Sequence, residues 1–365
     1  MKQTESSKCN CTCGATRSTP VAKWLVGKLH TDAGDVPRVS TKLHIRDRLG
    51  WLRVRCGIGR YSFRVSPGLY AVGSPSGSSN VFVTANYKMS FDKLRCALSD
   101  QNAWILVLDT KGINVWCAAG KGTFGTNELV ERVKASGLDK ILDHRRLILP
   151  QLGASGVSAH RVSEELGFKV IYGPVRAEDI PAFLTAGSKA TPEMRTISFA
   201  FMDRAILTPV ELVISSKHIL FAMLAALLVA GFTGAGFALE RAWLRGGTAV
   251  IGLALAWLAG SFLGPLLLPY LPGRGFSVKG AEVGLACACL LTLVFGIGRS
   301  DVWEIVAVFL VVPAVASFLT MTFAGASACT SPSGVKKETR IAAPLQALAV
   351  LAGAIAWGVH VFGSP

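Results

Sequence analysis

Residues 104–125 read WILVLDTKGINVWCAAGKGTFG. The run Trp104–Leu108 is apolar throughout, which suits a strand buried on both faces of a parallel sheet. Around it, strand and helix patterns alternate. Val81–Ala85 is a short β-rich run, and Phe91, Leu94 and Leu98 recur at helical spacing. Leu129 and Val133 predict a helix over 126–136, and Leu147–Leu149 begins a further strand. Val157–Leu166 reads as a helix, Phe168–Tyr172 as a strand and Ala177–Leu184 as a last helix. This alternation predicts an open, Rossmann-like α/β domain. Such sheets bind ligands beyond the carboxyl ends of their strands. Three glycine-containing loops follow those ends: Asp109–Gly125, Pro150–Gly156 and Gly173–Arg176.

Two nucleotide-binding readings of the first loop fail. A P-loop requires G-x-x-x-x-G-K-[ST], but Gly120-Lys121 is followed by Gly122 and position 115 is Val. Gly120, Gly122 and Gly125 do fit G-x-G-x-x-G, but a dinucleotide fingerprint follows its strand directly, and here the whole segment 109–119 intervenes. What remains is a cysteine in an unusual setting. Asn114 is a good N-cap for a short helix over Val115–Lys121, with Cys117 in its first turn, where amides and macrodipole favour thiolate. Ala118, Ala119 and Gly120 have minimal side chains, so a large flat ligand could approach closely, walled by Trp116. An inert buried cysteine is the alternative on these residues alone.

The 365-residue chain is 51% hydrophobic and 17% charged, with a mean hydropathy of +0.44. The charged share usual for soluble proteins is about 25%. A disordered chain, a coiled coil and a nucleic-acid tail protein are excluded, so no nucleic-acid partner is expected. Nine cysteines are too sparse for a disulfide scaffold. The net charge of +15 divides unevenly: residues 217–365 carry 9 Lys+Arg and 5 Asp+Glu, and the remainder lies in 1–216.

The second half reads as membrane. A spanning helix needs about 20 apolar residues. Ile219–Leu239, Thr248–Leu271, Val283–Gly298, Ile305–Ala328 and Ile341–Phe362 are uncharged runs near that length. Pro265 and Pro269 should kink or end the second. The loops 272–282 and 329–340 carry Arg274, Lys279, Lys336, Lys337 and Arg340, against Arg241, Arg245 and Arg299 on the other side. That bias predicts a cytoplasmic soluble domain on a multi-pass inner-membrane anchor. Acidic residues are absent from the interiors of these runs, so a docking platform is expected rather than a proton relay. Cys287 and Cys289 read as small packing residues.

Residues 1–80 read as a polar, basic extension, 81–216 as the α/β domain and 217–365 as a five-helix transmembrane domain. The leader holds Cys9, Cys11 and Cys13, whose alternation does not match zinc spacing. Residues 38–64 carry eight arginines and lysines against Asp47 alone. Such a stretch suits a solvated face, anionic lipid, an acidic partner or a phosphate-bearing ligand. Residues 73–80 (GSPSGSSN) predict a turn.

Asn114-Val115-Trp116-Cys117-Ala118-Ala119-Gly120-Lys121 closely resembles the cap-helix signature of the HgcA family, the corrinoid proteins of microbial mercury methylation. That family joins a corrinoid-binding domain, similar to one in the corrinoid iron–sulfur protein, to five transmembrane helices. The resemblance implies a cobalamin-type corrinoid with Cys117 as lower axial ligand to cobalt and the other seven residues shaping the cap helix. It implies methyl transfer from methyl-Co(III) to Hg(II), giving methylmercury, with methyl groups from a methyltetrahydrofolate-linked system. The ferredoxin-like iron–sulfur protein HgcB is the implied electron donor. Thr123, Gly153, Ala154, Gly173 and Arg176 are assigned to the cofactor crevice from strand order only. The alternatives are a methyl-carrier corrinoid protein with another acceptor, a membrane cobalamin-binding protein without turnover, and a nucleotide sensor.

Overall fold

The computed structural model describes residues 22–233, 236–295, 301–325 and 332–363. Cys9, Cys11 and Cys13 lie outside them. Among the described residues seven strands form one sheet: β1 (Leu25–Thr31), β2 (Gly34–Val39), β3 (Gly68–Val72), β4 (Val81–Ala85), β5 (Ala103–Leu108), β6 (Arg146–Leu149) and β7 (Lys169–Tyr172). Their order is β1-β2-β3-β5-β4-β6-β7. The helices of this half are α1 (Ile45–Arg55), α2 (Lys88–Ala97), α3 (Val115–Gly120), α4 (Thr126–Ser136), α5 (Leu138–Ile141), α6 (Ala159–Leu166), α7 (Ile180–Thr185) and α8 (Pro192–Arg195).

Strand alternation sorts the core into two layers. Trp104, Leu106 and Leu108 pack with Ala118, Phe124, Leu129 and Val162 on one face of the sheet. Ile105 and Val107 pack with Phe91, Leu94 and Phe183 on the other. The central β4 and β5 are buried at every position, which explains their unbroken apolar runs. The sheet is mixed rather than parallel: β5 runs parallel to β4 but antiparallel to β3.

Residues 25–72, expected as part of an extension, supply three strands to this sheet. The β1–β2 hairpin forms its edge, half exposed and with Pro37 in β2. β1 is the edge strand, and β2 meets β3 only through Arg38 and Val39, so Pro37 lies where β2 has no partner on that side; both strands therefore lack the unbroken apolar runs of β4 and β5. The basic stretch 38–64 is likewise structured, forming the end of β2 and helix α1. The last expected helix of the domain is a 3₁₀ turn, Ala177–Asp179, running into α7.

A buried ion cluster fastens α1 and the end of β2 to α2. Lys88 Nζ donates to Asp47 Oδ1 at 2.9 Å and to Asp92 at 2.6 and 2.7 Å. Arg95 Nε donates to Asp92 at 2.7 Å, and its Nη2 to Asp47 at 3.0 Å. Arg95 Nη1 donates to the Ser40 and Lys42 carbonyls, and Trp51 Nε1 to Asp92. The charged groups that leave water here find opposite charges or backbone carbonyls as partners, which is the condition for burying ions.

The C-terminal half holds α9 (Phe201–Gly231), a short hairpin of β8 (Phe232–Thr233) and β9 (Gly236–Phe237), α10 (Leu239–Leu258), α11 (Gly264–Leu267), α12 (Phe276–Phe295), α13 (Val302–Gly325) and α14 (Pro332–Gly363). Among the described residues they make five helical segments long and apolar enough to cross a membrane, α10 and α11 together counting as one. The first expected span differs: its helix starts earlier and ends at Gly231, where the hairpin begins. Helices longer than the uncharged runs bring Glu211 into α9 and Glu282 into α12. Pro265 does not end the second span. A π-helical turn, Ala259–Leu263, precedes it and absorbs the missing donor. Small residues bring the helices close: a Cβ on Gly260 would lie 2.7 Å from the Ala316 carbonyl, and one on Gly284 2.8 Å from Ala316 Cβ. Cys287 is half-buried in the bundle core, whereas Cys289 is exposed.

Candidate functional site

Helix α3 stands at the carboxyl end of β5, inside the loop expected to carry chemistry. Asn114 caps it, its Oδ1 accepting from the Cys117 amide at 2.9 Å. At about 100° per residue, Val115, Ala118 and Ala119 fall on one side and are buried in the core. Trp116, Gly120 and Cys117 fall on the other, with Gly120 between the two larger side chains. Trp116 and Cys117 are half-buried and Gly120 is exposed. A Cβ built on Gly120 would meet nothing within 4 Å, nor would one on Gly122. The outer face of α3 is therefore a thiol beside bare backbone with open space above it. That geometry fits a large planar group whose central metal takes the sulfur.

Five interactions hold the loop that delivers α3. Asn86, buried at the end of β4, accepts from the Thr110 amide at 3.2 Å, the Thr110 hydroxyl at 2.9 Å and the Gly112 amide at 2.9 Å. It donates to Asp109 Oδ1 at 3.0 Å. Glu128, clamped by Arg132, accepts from the Asp109 amide at 2.8 Å. Lys111 and Gly112 both have positive φ, and a Cβ on Gly112 would overlap the Tyr61 carbonyl, so glycine is required there. Burial pushes the Asp109 carboxyl up, but hydrogen bonds from Lys111 outweigh it and hold the group below the usual carboxylate range. Sequence reading missed Asn86. Its position directly after an apolar strand, at the carboxyl end of the sheet, is the signal that points to it.

Replacing Asn86 with Ala removes the acceptor for two buried amides. The expected cost is about 1–3 kcal/mol, with faster hydrogen exchange across 109–121 than in α4. Unchanged exchange there would show that Asn86 does not position α3.

The other expected crevice residues divide. The Thr123 amide donates to the Ala118 carbonyl at 2.9 Å and closes the end of α3, with the exposed Lys121 as its C-cap. The 3₁₀ turn Gln151–Gly153, with Ala154 as its C-cap, packs beside α3. Gly153 is not open to a ligand: a Cβ there would lie 2.5 Å from the Phe124 ring, so its bareness serves packing. Gly173 is buried against Ile148 and Phe183 for the same reason. Arg176 turns to the start of α9, donating to Asp203 at 2.6 Å and Ser198 at 2.7 Å. It braces the joint between the two halves rather than α3. Among the described residues no cluster of three or more His, Cys, Asp or Glu is arranged to hold a metal ion.

Comparison with known proteins bears on the same segment. Residues 52–184 match the family of the CO dehydrogenase/acetyl-CoA synthase delta subunit. The gamma subunit of the acetyl-CoA decarbonylase/synthase complex of Archaeoglobus fulgidus is 29% identical over 127 residues, 34% of this chain and 27% of that protein. The Methanopyrus kandleri gamma subunit is 30% identical over 122 residues, 33% of this chain and 26% of its own. The corrinoid/iron–sulfur protein large subunit of Moorella thermoacetica is 28% identical over 153 residues, 41% of this chain and 34% of its own. The chain thus spans about a third or less of the length of these relatives. The match takes in β3 to β7 and the whole of α3, so over that stretch the α/β domain is similar to that of a corrinoid protein.

Proposed function

We propose that the chain is a membrane-anchored corrinoid protein that passes a methyl group to Hg(II), forming methylmercury, with the Cys117 thiolate as lower axial ligand to cobalt. The observation that carries this reading is the outer face of α3, where Cys117 and Trp116 flank bare Gly120 within a stretch resembling the HgcA cap helix. A bound corrinoid supplies the cobalt centre that takes up and gives up the methyl group. The chain's residues do the rest. Cys117 offers a soft, anionic donor to the metal. Ala118 and Ala119 anchor the helix to the core, and Asn86 and Asn114 fix its approach. Trp116 walls the site, and Gly120 keeps it clear.

A methyltetrahydrofolate-linked system is the methyl source, and a ferredoxin-like iron–sulfur protein of the HgcB type is the electron donor. In this reading the α/β domain lies on the cytoplasmic face of the inner membrane. Lys279 donates to the Leu268 carbonyl and Ser277 to Glu338 on the near side of the bundle. Arg241 and Arg245 donate to the Val361 carbonyl on the far side. Arg274, Lys279, Lys336, Lys337 and Arg340 lie on the near side against Arg241 and Arg245 on the far side, among the described residues, and that excess supports this orientation.

A second reading, a methyl carrier to another acceptor, is favoured by the relatives, which are named as subunits of acetyl-CoA decarbonylase/synthase complexes. The test is to load the full chain with cobalamin carrying an isotopically labelled methyl group and offer Hg(II) or a thiol. Labelled methylmercury from wild type is the expected result. Label passed to the thiol, with none to Hg(II), would favour the second reading.

A further inference from the structure

Helix α1 carries an apolar face that the soluble domain leaves uncovered. Ile45, Leu49 and Leu52 recur at i, i+4 and i+7, and are 70%, 58% and 59% exposed. On the helical wheel they form one stripe, with Arg48 on one flank and Arg46 and Arg53 on the other. The helix's one acid, Asp47, faces the opposite way and is spent in the buried ion cluster with Lys88 and Arg95. The outward face is thus apolar at its centre and positive at its edges, so the stripe can meet acyl chains while the flanking arginines meet anionic head groups. Long arginine side chains on the flanks reach back to head groups while the stripe sits among acyl chains.

The same segment adjoins the first spanning helix. A Cβ on Gly57, just past α1, would lie 3.7 Å from Ile214 and 3.9 Å from Val210 of α9. Helix α9 has 31 residues, longer than the roughly 20 that cross the hydrocarbon core. Counting about 20 residues back from its end at Gly231 puts the near-side boundary at the level of Val210 and Ile214. The end of α1 therefore meets α9 where α9 enters the bilayer. Beyond it Ile58 and Tyr61 are also exposed, and the Tyr61 carbonyl lies against Gly112 of the loop that carries α3.

We propose that α1 is an in-plane membrane helix that seats the soluble domain on anionic lipid through Ile45, Leu49 and Leu52 with their flanking arginines. Seating α1 braces the α3 loop through Tyr61 and fixes the site against the bilayer. The proposal stands on the α1 surface and its join to α9, independent of the ligand of α3.

The full chain is placed in nanodiscs of phosphatidylglycerol and phosphatidylcholine with a fluorescent amino acid at Leu49, or at Glu164 on exposed α6 as control. Lipids brominated on the upper acyl chain should quench position 49 at least about threefold more than position 164, as expected for a stripe buried about 5–10 Å into the interface. Arg46→Glu with Arg48→Glu should lower that quenching by half or more, with far-UV circular dichroism unchanged. Equal quenching at 49 and 164 would overturn the proposal. Blue-shifted emission at 49 without lipid quenching would also overturn it, and would assign the face to a protein. The label in the unaltered arginine background decides the matter even where the double variant fails to fold.

Discussion

Arg95→Ala is expected to lower the stability of the soluble domain by about 3–5 kcal/mol, the usual result of removing one partner from a buried ion network. Arg95 is fully buried and donates to Asp92, Asp47, Ser40 and Lys42. Its loss strands two buried carboxylates with only Lys88 between them. For a domain of this size the melting temperature should fall by on the order of 10 °C, read by thermal unfolding of the full chain in detergent. A drop under about 1 kcal/mol, the range of an exposed pair, would show that the cluster is not what fastens α1 to α2.

The cluster also sets an acid limit. Burial pushes the Asp47 carboxyl up, but the Lys88 hydrogen bond and charge, the His44 amide and the Arg95 charge outweigh it and hold it below the usual range. A folded value below the ordinary carboxylate pKa of about 3.9 stabilises the fold fully above that pH. The stabilisation is lost as pH falls through the folded value. The Arg95→Ala variant, with less opposing charge, should unfold at a higher pH than wild type in an acid titration.

Cys117→Ala is the second large effect. It removes the single soft donor on α3 without disturbing the buried side of the helix, since Val115, Ala118 and Ala119 make its core contacts. Changes in the outer shell of a metal already cost about 10–100-fold, so under the proposed function loss of Cys117 as cobalt ligand should lower methyl transfer to Hg(II) by about 100-fold or more. The melting temperature should stay within about 2 °C of wild type. Activity within a few-fold of wild type would remove Cys117 from the mechanism.

Burial decided how much of this was legible in the sequence. The central strands β4 and β5 are buried on both faces, so their runs were unbroken and their limits read almost to the residue. Asn114 and the small residues after Cys117 announced α3, because cap and helix are local features. The β1–β2 hairpin at the sheet's edge gave no such signal: about half its residues face water, and β2 contains Pro37. Asn86 and the Lys88–Asp92–Arg95 group were hidden for another reason. Their meaning lies in partners far along the chain, Thr110 and Asp47 among them, and no local spacing records those meetings. Strand order also overreached. It placed Gly153, Gly173 and Arg176 near a ligand, where two of them prove to be packing glycines and the third an ion-pair partner of Asp203.

The most direct test of the account is the anoxic visible spectrum of the full chain loaded with cobalamin, beside that of Cys117→Ala. The account predicts a cobalt–thiolate spectrum in wild type that disappears in the variant, while both remain folded. Identical spectra, or no corrinoid retained by either protein, would contradict it.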